Sequence, residues 1–211
     1  MLKIVSIAFL LGGCSVLVEA CCLPKQFECT IGLQNATFGG GKLDVSTTGF
    51  MHSMDFINKK VAYVGQDFKV LQDYSKMMQY TISNGYCTVN KLMKPIDNCI
   101  SANATVATTV DMGGPKGVTL DVYNVEKISP GPGIFFKGSI AFNQEGCIPF
   151  SEILMTEGSY ATVSYINMTF GIKDPSVFDV PSPPCPKDTD NFVTSLQQQP
   201  APSWPILPSL P

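Results

Sequence analysis

No stretch of twelve residues in this chain places apolar side chains at the i, i+3, i+4 spacing of an amphipathic helix. What recurs is short runs rich in Val, Ile, Phe, Tyr and Thr, cut by Gly, Pro, Asn and Asp. Eleven such runs fall at 27–38, 42–50, 55–64, 68–74, 77–82, 86–92, 104–111, 117–125, 134–142, 148–156 and 160–172. Asn84-Gly85 and Glu157-Gly158 are hairpin signals, and Gly39-Gly40-Gly41-Lys42 reads as another hairpin turn. The Ser-Pro-Gly-Pro-Gly sequence at 129–133 is a loop that no strand can cross. About eleven strands at this spacing predict an all-β sandwich or an open barrel.

Side chains alternate across a strand with a period of two, so faces can be assigned. A glycan on Asn167 would turn that residue to solvent. Tyr165 and Thr169 would then share its face, and Ile166, Met168 and Phe170 would point inward. In 134–142, Ile134, Phe136, Ile140 and Phe142 take one face, and Phe135, Lys137, Ser139 and Ala141 the other. In 148–156 both faces are apolar, Phe150 and Leu154 against Ile153 and Met155. Such residues ordinarily fill a core. The sharper expectation is that Phe136, Phe142, Met168 and Phe170 contact an apolar ligand in an internal pocket, Met being well suited to adaptable apolar surfaces.

The first residues point to a compartment. Lys3 precedes an uncharged apolar run over 4–17, and Val18-Glu19-Ala20 puts small residues at −3 and −1. This predicts a signal peptide over 1–20, cleaved after Ala20, since the run is shorter than the ~20 residues of a membrane span. The chain is therefore expected to be secreted and not transmembrane. Seven cysteines follow: Cys21, Cys22, Cys29, Cys87, Cys99, Cys147 and Cys185. In a secreted chain most should form disulfides, and an odd number leaves at least one unpaired within the chain. No Cys-x-x-Cys occurs and His52 is the sole histidine, so zinc-site spacing is absent. Sequons at Asn35, Asn103 and Asn167 predict N-glycans. A globular domain is expected over 21–185, followed by a disordered tail at 186–211, where Pro, Gln, Ser and Asp dominate around Trp204.

Several functions are disfavoured. Net charge is −3, all 14 basic residues are Lys, and no Lys cluster exceeds Lys59-Lys60. Without an arginine fork, nucleic-acid recognition is a poor expectation. No paired carboxylates, nucleophile elbow or phosphate loop stands out. Glu152 and Glu157 carry no mark of a glycosidase pair, His52 has no nucleophile motif beside it, and Leu43 follows Gly39-Gly40-Gly41-Lys42 where a hydroxyl would be needed. The chain is expected not to be an enzyme. No Asp-x-Asp-x-Asp-Gly loop names a calcium ligand.

Several motifs stand in order along the chain: Cys21-Cys22-Leu23-Pro24-Lys25-Gln26-Phe27-Glu28, Asp73-Tyr74 through Tyr80-Thr81-Ile82 to Cys87, Cys99-Ile100-Ser101-Ala102-Asn103-Ala104-Thr105, Asp111-Met112-Gly113-Gly114-Pro115, Cys147-Ile148-Pro149, and Gly171-Ile172-Lys173-Asp174-Pro175-Ser176-Val177-Phe178 before Cys185. Together they resemble the ependymin-related proteins. Ser101 stands where that family commonly has Pro, and Phe27 where it usually has Trp. The resemblance implies two stacked antiparallel sheets forming a half-open LolA/LolB-like shell around an apolar pocket. It also implies disulfides Cys21–Cys147 and Cys87–Cys185, and leaves Cys99 to pair with Cys22 or Cys29. Calcium binding, homodimers and locations in extracellular fluid, lysosomes and calcified matrix belong to the same resemblance. Two functions follow: a secreted carrier of an apolar ligand, expected to be lipid, or an extracellular-matrix or adhesion glycoprotein associated with calcium.

Overall fold

A computed structural model describes residues 21–92, 94–100, 104–128, 135–156 and 158–185. The expected signal peptide, the Asn103 sequon, the 129–133 loop and the tail with Trp204 lie outside these residues. The strands are β1 (Gln26–Gly39), β2 (Lys42–Asp55), β3 (Lys60–Val64), β4 (Phe68–Asp73), β5 (Met78–Ser83), β6 (Tyr86–Lys91), β7 (Val106–Met112), β8 (Val118–Ile128), β9 (Phe135–Asn143), β10 (Ile148–Thr156) and β11 (Ser159–Phe170). The turns act as their composition predicts. Asn84 and Gly85 both have positive φ, 49° and 79°, the pattern of a two-residue turn whose twist matches its strands.

The all-β class is borne out. All eleven strands join one antiparallel sheet in the order β6-β5-β4-β3-β2-β1-β11-β10-β9-β8-β7. The order is that of an up-and-down barrel lacking one ladder, because its two edges, β6 and β7, are consecutive in the chain. The sheet bends strongly. Tyr63 on β3 and Glu152 on β10 are four strands apart, about 19 Å in a flat sheet, yet Glu152 is close enough to help raise the Tyr63 pKa. The two layers expected from the sequence are thus the two arms of one continuous sheet.

The inner face gathers a core from both arms, including Phe27, Ile31, Val61, Phe142, Leu154 and Val163. The gap between β6 and β7 is spanned by the intervening segment, whose Leu92, Ile96, Ile100 and Ala104 pack onto that core. Cys22–Cys99 fastens this segment, aided by Leu23 N–H donating to Asn98 O at 2.6 Å and Ile100 N–H to Cys21 O at 2.8 Å. Cys21–Cys147 ties the segment before β1 to the β9–β10 turn.

A second apolar cluster lies on the outer face of β3–β6. Ala62, Leu71 and Tyr80 are covered there by Phe178, Val177 and Ile172 of the segment after β11. The Gly171–Phe178 string explains itself in this setting. Asp174 caps a short 3-10 turn over Pro175–Phe178 by accepting the Ser176 N–H at 2.9 Å. The proline supplies a fixed φ where no N–H is needed, and Phe178 is delivered to the sheet, 8% exposed. Cys87–Cys185 locks this strap down.

Candidate functional site

From β2 round to β9 the inner face is apolar except at its centre. One cross-strand row places Cys29 opposite His52 and His52 opposite Tyr63. Partners across an antiparallel pair share a face, so all three point inward. Cys29 Sγ lies 3.7 Å from His52 Nδ1. The imidazole stacks on Tyr63, with centroids 4.8 Å apart and planes 6° apart, and meets Phe27 edge-on at 5.7 Å. Tyr165, opposite Ile31, and Glu152, opposite Val163, add a phenol and a carboxyl from β11 and β10. Glu152 and His52 have no exposed surface. Among the described residues His52 Nε2 and Tyr165 Oη have no hydrogen-bond partner.

Burial keeps the thiol, the imidazole and the two phenols of this island neutral. Burial lowers the His52 pKa to about 3 and raises that of Cys29 to about 12. A thiolate–imidazolium pair, the reactive form of a Cys–His couple, is therefore disfavoured at both partners. Tyr63 and Tyr165 are pushed well above the usual phenol value, first by burial and then by neighbouring acids including Glu152 and Cys29. The site is built for packing and neutral hydrogen bonding rather than nucleophilic chemistry. Toward β6 the inner face turns polar. Gln72 Nε2 donates to Gln79 Oε1 at 2.8 Å, and Tyr74 Oη donates to Gln72 Oε1 at 3.0 Å.

The proposed pocket residues are not all brought together. Phe142 is on the inner face, 1% exposed, in edge contact with Tyr123 at 6.0 Å. Met168 is half-buried against the core. Phe136 lies in β9 opposite Lys127 in register. Phe170 is 66% exposed, so it does not line the interior. The facing expected for β11 is corrected as well: Tyr165 is buried, and Ile166 is 45% exposed. The cause is a bulge. Between Glu28↔Thr169 and Thr30↔Ile166, β11 advances three residues while β1 advances two. Asn167 sits at that point with φ 53°, and an extra residue reverses the alternation beyond it. Asn167 is exposed, as a glycan acceptor must be, and Asn35 is half-buried on β1.

The disulfides implied by the resemblance, Cys21–Cys147 and Cys87–Cys185, are both formed, and Cys99 takes Cys22. Cys29 stays a buried thiol. Sequence motifs alone left His52 and Glu152 aside. The signal that would have found His52 is the alternation Phe50, His52, Met54, which places it on a buried face. Among the described residues no group of three or more His, Cys, Asp or Glu could hold a metal, and no helix is long and apolar enough to cross a membrane.

These features define a disulfide-braced all-β protein with an apolar concave face and an outer strap. A family model described as Ependymin matches residues 63–185, from β3 to the strap cysteine. The development-specific protein LVN1.2 of Lytechinus variegatus is 32% identical over 162 residues, covering 68% of this chain and 84% of that protein. The chain belongs to the ependymin family.

Proposed function

We propose that this protein is a secreted, disulfide-bonded glycoprotein that carries a hydrophobic ligand, a lipid, within the bent sheet. The observation that carries the reading is the inner face itself. It is largely apolar from Phe50 on β2 to Phe142 on β9, and among the described residues no strand ladder closes it between β6 and β7. A segment pinned by one disulfide spans that side, which gives an apolar ligand an entry that breaks no β-pairing. Ligand sites are characteristically concave and apolar with few polar groups, and the neutral island at His52 and Tyr165 fits that pattern. Three disulfides suit an oxidising compartment.

Organic-solvent extraction of the secreted protein followed by mass spectrometry should recover lipid, and a fluorescent fatty acid should bind the stripped protein. Phe142→Trp then separates a carrier from a filled core. Extra bulk in a filled core costs about 1–3 kcal/mol. In the carrier it costs less stability and weakens fatty-acid binding. No extractable lipid, no fatty-acid binding and a large stability loss would overturn the carrier and leave the matrix or adhesion reading, with calcium, in its place.

Secretion has its own test. N-glycans are expected on at least two of Asn35, Asn103 and Asn167. Amidase treatment of secreted material should increase its gel mobility, and unchanged mobility would count against the glycoprotein reading.

A further inference from the structure

The β1–β2 hairpin outruns β3, while on its other side β11 accompanies it to Thr37↔Ser159 and Phe38 N–H donates to Gly158 O at 2.8 Å. The two strands pair along their full length, from Gln26↔Asp55 to Gly39↔Lys42, whereas β3 pairs with β2 only over Met51–Asp55. Residues Lys42–Thr47 of β2 are consequently all exposed. Register places an apolar patch on one face of this projection. Phe38 stands opposite Leu43, and Ala36 opposite Val45. Ala36 is also opposite Tyr160, and Tyr160 opposite Met155. The row Val45–Ala36–Tyr160–Met155 thus crosses four strands, with Leu43–Phe38 beyond it toward the tip. Phe38 is 62% exposed, Leu43 57%, Val45 52% and Met155 48%. By alternation this face is the reverse of the one carrying Ile31 and Leu33, so the core does not use it.

We propose that this hairpin face docks the protein on the surface of a phospholipid bilayer. The inference rests on the carrier reading, for which it supplies the step of meeting a membrane. Contiguous exposed apolar surface marks an interaction site, and its shape selects the occupant. Phe38 and Leu43 flank a turn of Gly40 and Gly41, both at positive φ, where an added Cβ would meet nothing within 4 Å. An open tip, with Phe38 and Leu43 standing out from the turn, suits shallow entry of a few side chains into the acyl boundary. Charge agrees. Lys42 stands at the tip, next to Leu43. Lysine stems let ammonium groups reach phosphates while apolar neighbours enter below them. Asn35 is on the opposite face of the hairpin, next to Ala36, so a glycan there leaves the patch uncovered.

The test uses full-length secreted protein and vesicles of phosphatidylcholine, alone and with phosphatidylserine. The protein should co-sediment with vesicles, and Phe38→Ser with Leu43→Ser should weaken this about tenfold or more. Fatty-acid binding by the same double variant should be retained, which confirms folding and keeps the carrier question separate. Trp204 is the sole tryptophan, so Phe38→Trp in a Trp204→Phe background gives a single indole probe at the hairpin tip. Its emission should shift to the blue on vesicle addition. The proposal is overturned if the parent protein ignores vesicles, if the double variant binds them equally, or if the emission of the tip probe stays unchanged. A double variant that instead loses a concentration-dependent dimer while vesicle binding is intact would assign the patch to a second copy of the chain, against the proposal.

Discussion

Replacing Cys87 and Cys185 together with Ser should cost about 4–5 kcal/mol of stability. The bond closes 98 residues, and the chain-entropy model gives that magnitude for a loop of this length. The strap adds a second effect. Ala62, Leu71 and Tyr80 are buried on the outer face by Phe178 and its neighbours, and a strap held only by these contacts should fray and expose them. Dye binding to apolar surface should therefore rise in this variant. The matched control is Cys22→Ser with Cys99→Ser, which opens a loop of 77 residues. Loop entropy grows only slowly with length, so the control should lose nearly as much stability but leave the outer cluster covered. Denaturant titration measures the first effect. A loss below about 1 kcal/mol for the Cys87 and Cys185 pair would refute the strap as a structural element, since removing a native disulfide typically costs 2–5 kcal/mol.

Local chemistry made the strands and turns legible. Turn residues and alternation mark most of the strands because each depends on neighbours in sequence, but the break expected at 51–54 is the end of β2 and the turn falls at 56–59 instead. Asn84-Gly85 forms the expected turn, and the run beginning at Ile148 is β10 with its expected end at Thr156. What stayed hidden depends on long-range pairing. The first strand lies beside the last, and no local pattern announces that. The bulge at Asn167 is a response of β11 to β1, so alternation alone misplaced Tyr165 and Ile166, while Phe170 shares the face of its partner Phe27 and still stands exposed. The strap string was conspicuous as a motif, yet its role required the outer face of β3–β6 to be apolar and uncovered. The inner site was half legible. Phe142 and Met168 follow from alternation, whereas the meeting of Tyr63 with Glu152 follows from the bend of the sheet.

The buried histidine makes stability depend on acidity, with a definite sign. His52 has an ordinary value of 6.5 and a folded value of about 3, and burial is the cause. Folding therefore favours the neutral ring. Its contribution is fully present above 6.5 and is lost as pH falls toward 3, because the unfolded chain takes up a proton that the folded one refuses. Below 6.5 the loss should approach about 1.4 kcal/mol per pH unit, and the whole displacement amounts to about 5 kcal/mol. The thiol and the phenols around the ring do not mask this window. Cys29, Tyr63 and Tyr165 are all raised and stay neutral throughout it. Asp55 is lowered from 3.8: burial raises it, but hydrogen bonds from Asn58 and Gln26 outweigh that, so its own acid loss comes at lower pH. Urea midpoints measured between pH 7 and pH 4 should fall in the parent protein. In His52→Phe, which keeps an aromatic ring against Tyr63 and Phe27, the decline should be much shallower. Parallel declines in the two proteins would show that His52 does not govern acid stability and that its ring finds a proton acceptor when charged.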